Sequence, residues 1–97
     1  MKELKQIDVL DKAFNNAWLA LVQDPSKKEI PIIFNSQKMR LYFIEIYKQL
    51  YAKSGGDKSF MIHWFNDLNK AFNCTPIDAC KTEVGLLTVK KYFELNR

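Results

Sequence analysis

The chain has 97 residues, of which 47% are hydrophobic and 27% charged, an ordinary composition for one globular domain. Its formal charge of +4 favours an acidic partner but is modest for a dedicated nucleic-acid binder. The first residues show no signal-peptide pattern, and no later run approaches the roughly 18 apolar residues that a membrane helix needs. We therefore expect a cytoplasmic protein in which Cys74 and Cys80 are reduced thiols.

A first helix is predicted by apolar residues that recur at steps of three and four, namely Leu4, Ile7, Leu10, Phe14, Ala17, Trp18 and Leu21. Asp24 and Pro25 are predicted to end it, and residues 25–28 to form an exposed turn. The apolar run 30–34 contains Pro31, which favours an extended connector that packs on the core. A short edge strand is the alternative for this run.

A second helix can be capped by Asn35 or Ser36 and ended by Gly55, because glycine accepts positive φ. Its apolar stripe comprises Met39, Phe43, Ile46, Tyr47 and Leu50, and it is widened by Leu41, Ile44 and Tyr51. A third helix, capped by Asp57 or Ser59, is predicted to end near Asn73. Its apolar residues are Phe60, Met61, Trp64, Phe65, Leu68, Ala71 and Phe72.

Thr75 and Pro76, with Asp78 in the first turn, predict a short helix over residues 76–81. Thr82 and Glu83 restart the pattern in a final helix, where a glycine at position 85 predicts a close approach by another group. The whole chain thus predicts a single-domain, all-α bundle of four to five helices. Its predicted core is Phe14, Trp18, Phe43, Ile46, Leu50, Trp64, Phe65, Leu68, Leu86, Val89 and Phe93.

Residues that could carry catalysis or bind a metal are few. His63 is the one side chain with an unperturbed pKa near neutrality, and its neighbours in an aromatic helix favour a structural role. Two cysteines six residues apart and one histidine match no compact zinc spacing. The sequence therefore predicts no catalytic residues, no metal and no cofactor.

Nucleic-acid binding is an open alternative. Basic residues could form a strip, with Tyr42, Tyr47 and Tyr51 among them. The basic residues are Lys38, Arg40, Lys48, Lys53 and Lys58. The opposing interpretation is that these lysines are the solvated side of the second helix, and no helix-turn-helix pattern accompanies them.

Several motifs in residues 39–97 occur in a definite order. The first is an arginine-led helix with an I-Y-K-x-L motif, matched by Arg40, Leu41, Ile46, Tyr47, Lys48 and Leu50. A tryptophan that precedes an asparagine follows at Trp64 and Asn69, and a T-P-[LI]-D step at Thr75, Pro76, Ile77 and Asp78. The closing G-L-x-x-V-[RK]-[RK]-Y-[LF] signature and final arginine are matched by Gly85, Leu86, Val89, Lys90, Lys91, Tyr92, Phe93 and Arg97.

Together these motifs resemble the C-terminal toxin-binding domain of MbcA/ParS/Xre-type antitoxins, most closely the MbcA/ParS branch. Relatives usually have glycine before the T-P step, where this chain has Asn73 and Cys74, and asparagine tolerates the left-handed conformation well. Residues 1–38 form an N-terminal helix and connector in which the family's helix-turn-helix unit is reduced or absent. These residues carry no motif that supports the family's operator-binding role, so DNA binding stays an open alternative.

The resemblance implies a bacterial antitoxin that is an inhibitor and not an enzyme. Members of the family cover the active-site entrance of a RES- or ParT-type toxin, which attacks NAD or transfers its ADP-ribose. The partner-binding residues expected here are Lys90, Lys91, Tyr92, Glu94, Asn96 and Arg97. The motif residues expected to have structural roles are Trp64, Asn69, Thr75, Pro76, Asp78 and Gly85.

The cationic end of the chain has two interpretations. A protruding lysine or arginine could occupy the region of the toxin that holds the pyrophosphate of NAD. Alternatively, the same lysines only complement the dipole of the last helix. Two other functions are open: the chain could be a small DNA-binding regulator, or a helical adaptor, for example a phage-borne one. The exposed residues Val9 and Leu19 could also mediate homo-oligomerisation.

Overall fold

The computed structural model describes residues 2–22 and 29–95, with side chains from residue 9 onward. Within these ranges the regular elements are α1 (Lys2–Leu21), a 3-10 helix (Ile32–Asn35), α2 (Gln37–Ser54), α3 (Lys58–Asn66), α4 (Pro76–Ala79) and α5 (Glu83–Leu95). The all-α prediction is confirmed. The predicted ending at Asp24 and Pro25, the turn at 25–28 and the burial of Leu4 and Ile7 lie outside what the structure describes.

Side-chain caps determine where the helices begin, as the sequence predicts. Ser36 caps α2, Asp57 caps α3 and Thr75 caps α4, each with an oxygen 3.1–3.4 Å from the backbone nitrogen three residues later. Gly55 ends α2 in the left-handed conformation, at a φ of 64°. The positions of these helix ends are therefore determined locally.

The aromatic centre of the bundle lies on α2, which packs against α1, α3, α5 and the 3-10 helix. Phe43 is fully buried, and its ring centroid lies 5.4–5.8 Å from those of Phe14, Trp18, Phe34 and Phe65. Aromatic side chains bury large apolar areas, and tilted or edge-to-face pairs add further stability. One cluster of rings thus joins four elements of the fold.

The predicted core is confirmed at most of its positions. Buried as predicted are Phe14, Trp18, Phe43, Ile46, Leu50, Phe65, Leu86, Val89 and Phe93. Trp64 is half-buried and packs against this cluster, whereas Leu68 is 75% exposed and its assignment to the core was wrong. The same cluster includes residues of both 1–38 and 39–97, and the division at residue 38 stays a prediction from the resemblance.

The predicted extent of α3 was wrong. The helix ends at Asn66, because Asp67 takes an extended conformation, and residues 67–75 form a loop. An isolated antiparallel bridge between Asn69 and Cys74 closes this loop, and the Asn69 side chain accepts a hydrogen bond from the backbone of Ala71 at 2.9 Å. Leu68, Ala71 and Phe72 therefore do not continue the apolar face of α3.

The segment before α2 is also different from its prediction. The sequence favoured an extended connector or an edge strand over 30–34, but Ile32–Asn35 forms a 3-10 helix. Phe34 is buried beneath it, while Ile32 is 84% exposed. Arg40 stabilises the turn from α2, because its Nη1 atom donates to the Phe34 carbonyl at 2.8 Å and its Nε atom lies 3.2 Å from Asp11. None of the helices in 2–22 and 29–95 is long and apolar enough to cross a bilayer.

Asn66 joins the end of α3 to the end of α1. Its side-chain amide donates to the carbonyl of Leu21 at 2.7 Å and to that of Ile62 at 2.8 Å. The last carbonyls of a helix have no hydrogen-bond partner inside the helix. The bond from Asn66 therefore pairs the Leu21 carbonyl at the end of α1.

We expect Asn66→Ala to lower the free energy of unfolding by about 1–2 kcal/mol, because two hydrogen bonds are lost and the Leu21 carbonyl is left partly buried. Urea denaturation followed by circular dichroism measures the change. Asn16→Ala on the exposed face of α1 is the matched control and is expected to change stability little. Equal stabilities of the two variants would show that the bond to Leu21 is not stabilising.

Candidate protein-binding surface

The corner between α4 and α5 is closely packed. A Cβ atom built on Gly85 would lie 1.9 Å from the carbonyl oxygen of Ala79, so the backbones of the two helices meet at this point. The hydroxyl of Thr82 accepts a hydrogen bond from the Gly85 nitrogen at 3.1 Å and caps α5. The predicted close approach at Gly85 is confirmed, and the contact sets the direction in which α5 leaves α4.

The loop that leads into this corner depends on Asn73, which has a φ of 58°. Asparagine is among the residues that adopt this left-handed conformation most readily, so the φ agrees with the expectation from the sequence. Pro76 then begins α4 and is buried, and Asp78 pairs with Lys81 at 3.0 Å. The motif residues of this segment therefore have local structural roles.

Tyr92 is not a freely projecting side chain. It is half-buried, and its ring centroid lies 5.4 Å from that of Phe72 and 6.1 Å from that of Trp64. The loop after α3 returns Phe72 to this position, so the three rings join α3, the loop and α5. Tyr92 therefore packs within the chain, and its role as a partner-binding residue stays a prediction.

Lys90 is bound within the chain. Its Nζ atom pairs with Glu94 on the next turn and lies 3.6 Å from Glu45 on α2 and 5.1 Å from the centroid of the Tyr42 ring. The hydrogen bond to Glu94 raises the pKa of the Lys90 ammonium, although partial burial acts in the opposite direction. The sequence expectation that Lys90 lies on the exposed side of the helix, ready for a partner, does not fit these contacts.

Lys91 is exposed, and Glu94 is exposed while bound to Lys90. Asn96 and Arg97 lie outside the residues that the structure describes. Of the six expected partner-binding residues, Lys91 is thus the cation that the structure places at the surface of α5. The predicted cationic surface is thus reduced to one lysine among the described residues. The residues next to Lys91 on α5 therefore decide what kind of partner this surface suits.

The neighbours of Lys91 form a stripe that we name the α5 outer face, defined as Val84, Leu87, Thr88, Lys91 and Leu95. These positions recur at steps of three and four, so they lie on one side of the helix. Val84, Leu87 and Leu95 are exposed by 77%, 40% and 74% of their areas. The sequence analysis did not identify this stripe, although the spacing of its apolar residues was a visible signal.

One end of the α5 outer face borders a shallow hollow of about 410 Å³. Its lining includes Val84 and Thr88 of α5 and Phe72, Asn73 and Cys74 of the preceding loop. The surface near the α4–α5 corner is therefore concave, whereas the rest of the α5 outer face is the convex side of a helix.

The remaining candidates for catalysis or metal binding are the two cysteines and His63. Cys74 and Cys80 are free thiols, as predicted, and burial raises the pKa of Cys80 far above its usual range, with Cys74 adding to the effect. His63 is exposed and lies 3.9 Å from Asp67. No group of three or more potential metal ligands occurs in the ranges 2–22 and 29–95.

The basic strip of the nucleic-acid alternative is incomplete. Arg40 is directed to Asp11 and Phe34, and its side chain is only 19% exposed. Lys38, Lys48, Lys53 and Lys58 are exposed, but they are distributed between α2 and the start of α3. The observed positions therefore remove the arginine from this strip.

No protein-family model matches this chain, and no curated protein matches it. The resemblance to the MbcA/ParS/Xre antitoxins therefore stays a prediction, based on the motifs alone.

Proposed function

We propose that this chain is an antitoxin that inhibits a NAD-consuming toxin of the RES or ParT type. The motifs of residues 39–97 support the family, and the close contact of Gly85 with Ala79 is the observation that supports the mode of binding most directly. Because that contact sets the angle of α5, the helix can present Lys91 and the residues around it to a partner with little loss of conformational entropy on binding. The chain acts as an inhibitor and performs no chemistry of its own.

The proposal is tested by co-expression with the reading frame next to its gene. We expect that frame to encode a toxin that depletes cellular NAD, and we expect this chain to restore the NAD level and to co-purify with the toxin. A toxin with an inactivated catalytic site is the control for its effect on growth. NAD depletion that continues while the folded chain is present would contradict the proposal.

We expect Lys91→Glu combined with Arg97→Glu to weaken toxin binding about tenfold, because an acidic group of the toxin that pairs with these cations would then face a like charge. Calorimetric titration measures the affinity, and far-UV circular dichroism should show unchanged helicity. Lys38→Glu with Lys48→Glu is the matched control, since it makes the same charge change on α2. An unchanged affinity in the first variant would exclude Lys91 and Arg97 from the interface, whereas weakening in the control alone would favour the basic strip.

A further inference from the structure

α5 has apolar residues on two opposite faces. Leu86, Val89 and Phe93 are buried against the bundle, which gives the helix the one apolar face that folding requires. The α5 outer face is a second one, and it extends about 16 Å along the axis from Val84 to Leu95 at the usual rise of a helix. Val84 and Leu87 lie close together at one end of this face, and Leu95 lies about two turns beyond Leu87. Exposed apolar side chains on one helix face indicate a binding site for another protein.

The charge of the α5 outer face limits what can cover it. Lys91 is the one charged residue among its five members. The adjacent Lys90 adds no unpaired cation, because it is held by Glu94 and Glu45. A nucleic acid needs several cations to neutralise its phosphates, and a stripe with three aliphatic side chains does not supply them. Three aliphatic side chains and one lysine instead suit a partner protein that supplies both an apolar surface and a carboxylate.

A second copy of this chain is a poor match. The α5 outer face contains a cation but no acidic residue, so two copies pairing through it have no carboxylate on that face to receive either Lys91. Each copy also carries a formal charge of +4, which opposes close pairing. The charge pattern therefore favours a partner of different sequence that supplies the missing carboxylate.

We propose that the α5 outer face binds an apolar groove on the toxin in which a carboxylate lies opposite Lys91, an inference that rests on the proposed function. Val84 and Leu87 are anchors with the i, i+3 spacing of other helices that bind in grooves, and Leu95 is a third anchor about two turns beyond Leu87. The hollow between Val84 and Phe72 accommodates one edge of that groove. Binding is thus mainly hydrophobic, and Lys91 sets its orientation.

The experiment compares two double variants with the unchanged chain in binding to the purified toxin from the co-expression. Val84→Asp with Leu87→Asp places charges on the α5 outer face, and Val9→Asp with Leu19→Asp is the matched control on α1, where both residues are also exposed. All four positions are at the surface, so both variants should fold, and thermal unfolding checks this. Calorimetry measures each affinity at about 0.05 M and about 0.5 M salt, which brackets strong and weak screening.

We expect the α5 variant to bind at least about 30-fold more weakly, the loss found on altering a central anchor, and the α1 variant to bind like the unchanged chain. The affinity of the unchanged chain should change only about threefold with salt, because apolar contacts are not screened. Equal binding by all three proteins would overturn this inference and leave the inhibitor function standing. If the unchanged chain binds no toxin, the function and the inference both fail, and a homodimer that the α5 variant alone abolishes would assign the surface to a second copy and overturn the inference.

Discussion

Replacing Gly85 with alanine is expected to lower the free energy of unfolding by about 3 kcal/mol or more, the upper range for forcing an atom into a packed site. The added methyl group would lie 1.9 Å from the Ala79 carbonyl oxygen, a backbone atom that cannot rotate away. In an exposed helix the same change would stabilise the protein by about 1 kcal/mol, so the contact reverses the sign. Urea denaturation followed by circular dichroism at 222 nm gives the free energy.

Gly55→Ala is the matched control for this prediction. Gly55 also lies next to a helix end, but a Cβ atom added to it would meet nothing within 4 Å, and its φ is 64°. Its replacement therefore costs only the conformational strain of a left-handed residue, about 1 kcal/mol. If Gly85→Ala is no more destabilising than this control, the backbones of α4 and α5 do not meet tightly at the corner, and the angle of α5 is not set there.

Replacing Phe43 with alanine is the second change with a large expected effect. We expect a loss of about 3–5 kcal/mol, because the ring is fully buried and its removal leaves a cavity between four other aromatic rings. Domains of this size are stable by only about 5–15 kcal/mol, so the expected loss is a large fraction of the total stability. Calorimetric melting and the near-UV circular dichroism of the aromatic cluster provide the measurement.

Phe60→Ala on α3 makes the same truncation at a residue that is 49% exposed. It should cost far less, because half of the ring already contacts water and no closed cavity is formed. Comparable losses in the two variants would mean that the aromatic cluster around Phe43 is not the main source of stability.

The helix starts could be predicted from the sequence because their causes are local. The side chains of Ser36, Asp57 and Thr75 each accept a hydrogen bond from the backbone N–H three residues later. Such capping residues can be recognised directly in the sequence. Gly55 and Asn73 likewise occupy the left-handed positions for which their residue types are suited. The close approach at Gly85 was also predicted from the sequence, from the cost of a glycine within a helix.

The end of α3 could not be predicted from hydrophobic periodicity. Leu68, Ala71 and Phe72 continue the helical spacing, but Phe72 packs against Trp64 and Tyr92 only if the chain turns back after Asn66. An isolated backbone bridge between Asn69 and Cys74 closes the turn, and both residues belong to the loop itself. Tertiary packing of one aromatic ring thus outweighs a pattern that favours a longer helix.

The sequence by itself determined the all-α class, the helix caps, most of the core and the position of the α4–α5 corner, because these depend on neighbours within a few residues. Only the tertiary structure decided which cation of the last helix is exposed. The sequence pattern does not distinguish Lys90 from Lys91, but in the fold Glu45 on α2 lies next to Lys90. The exposed apolar face around Lys91 likewise depends on which side of α5 the bundle covers, and that side is chosen by contacts between residues far apart in the chain.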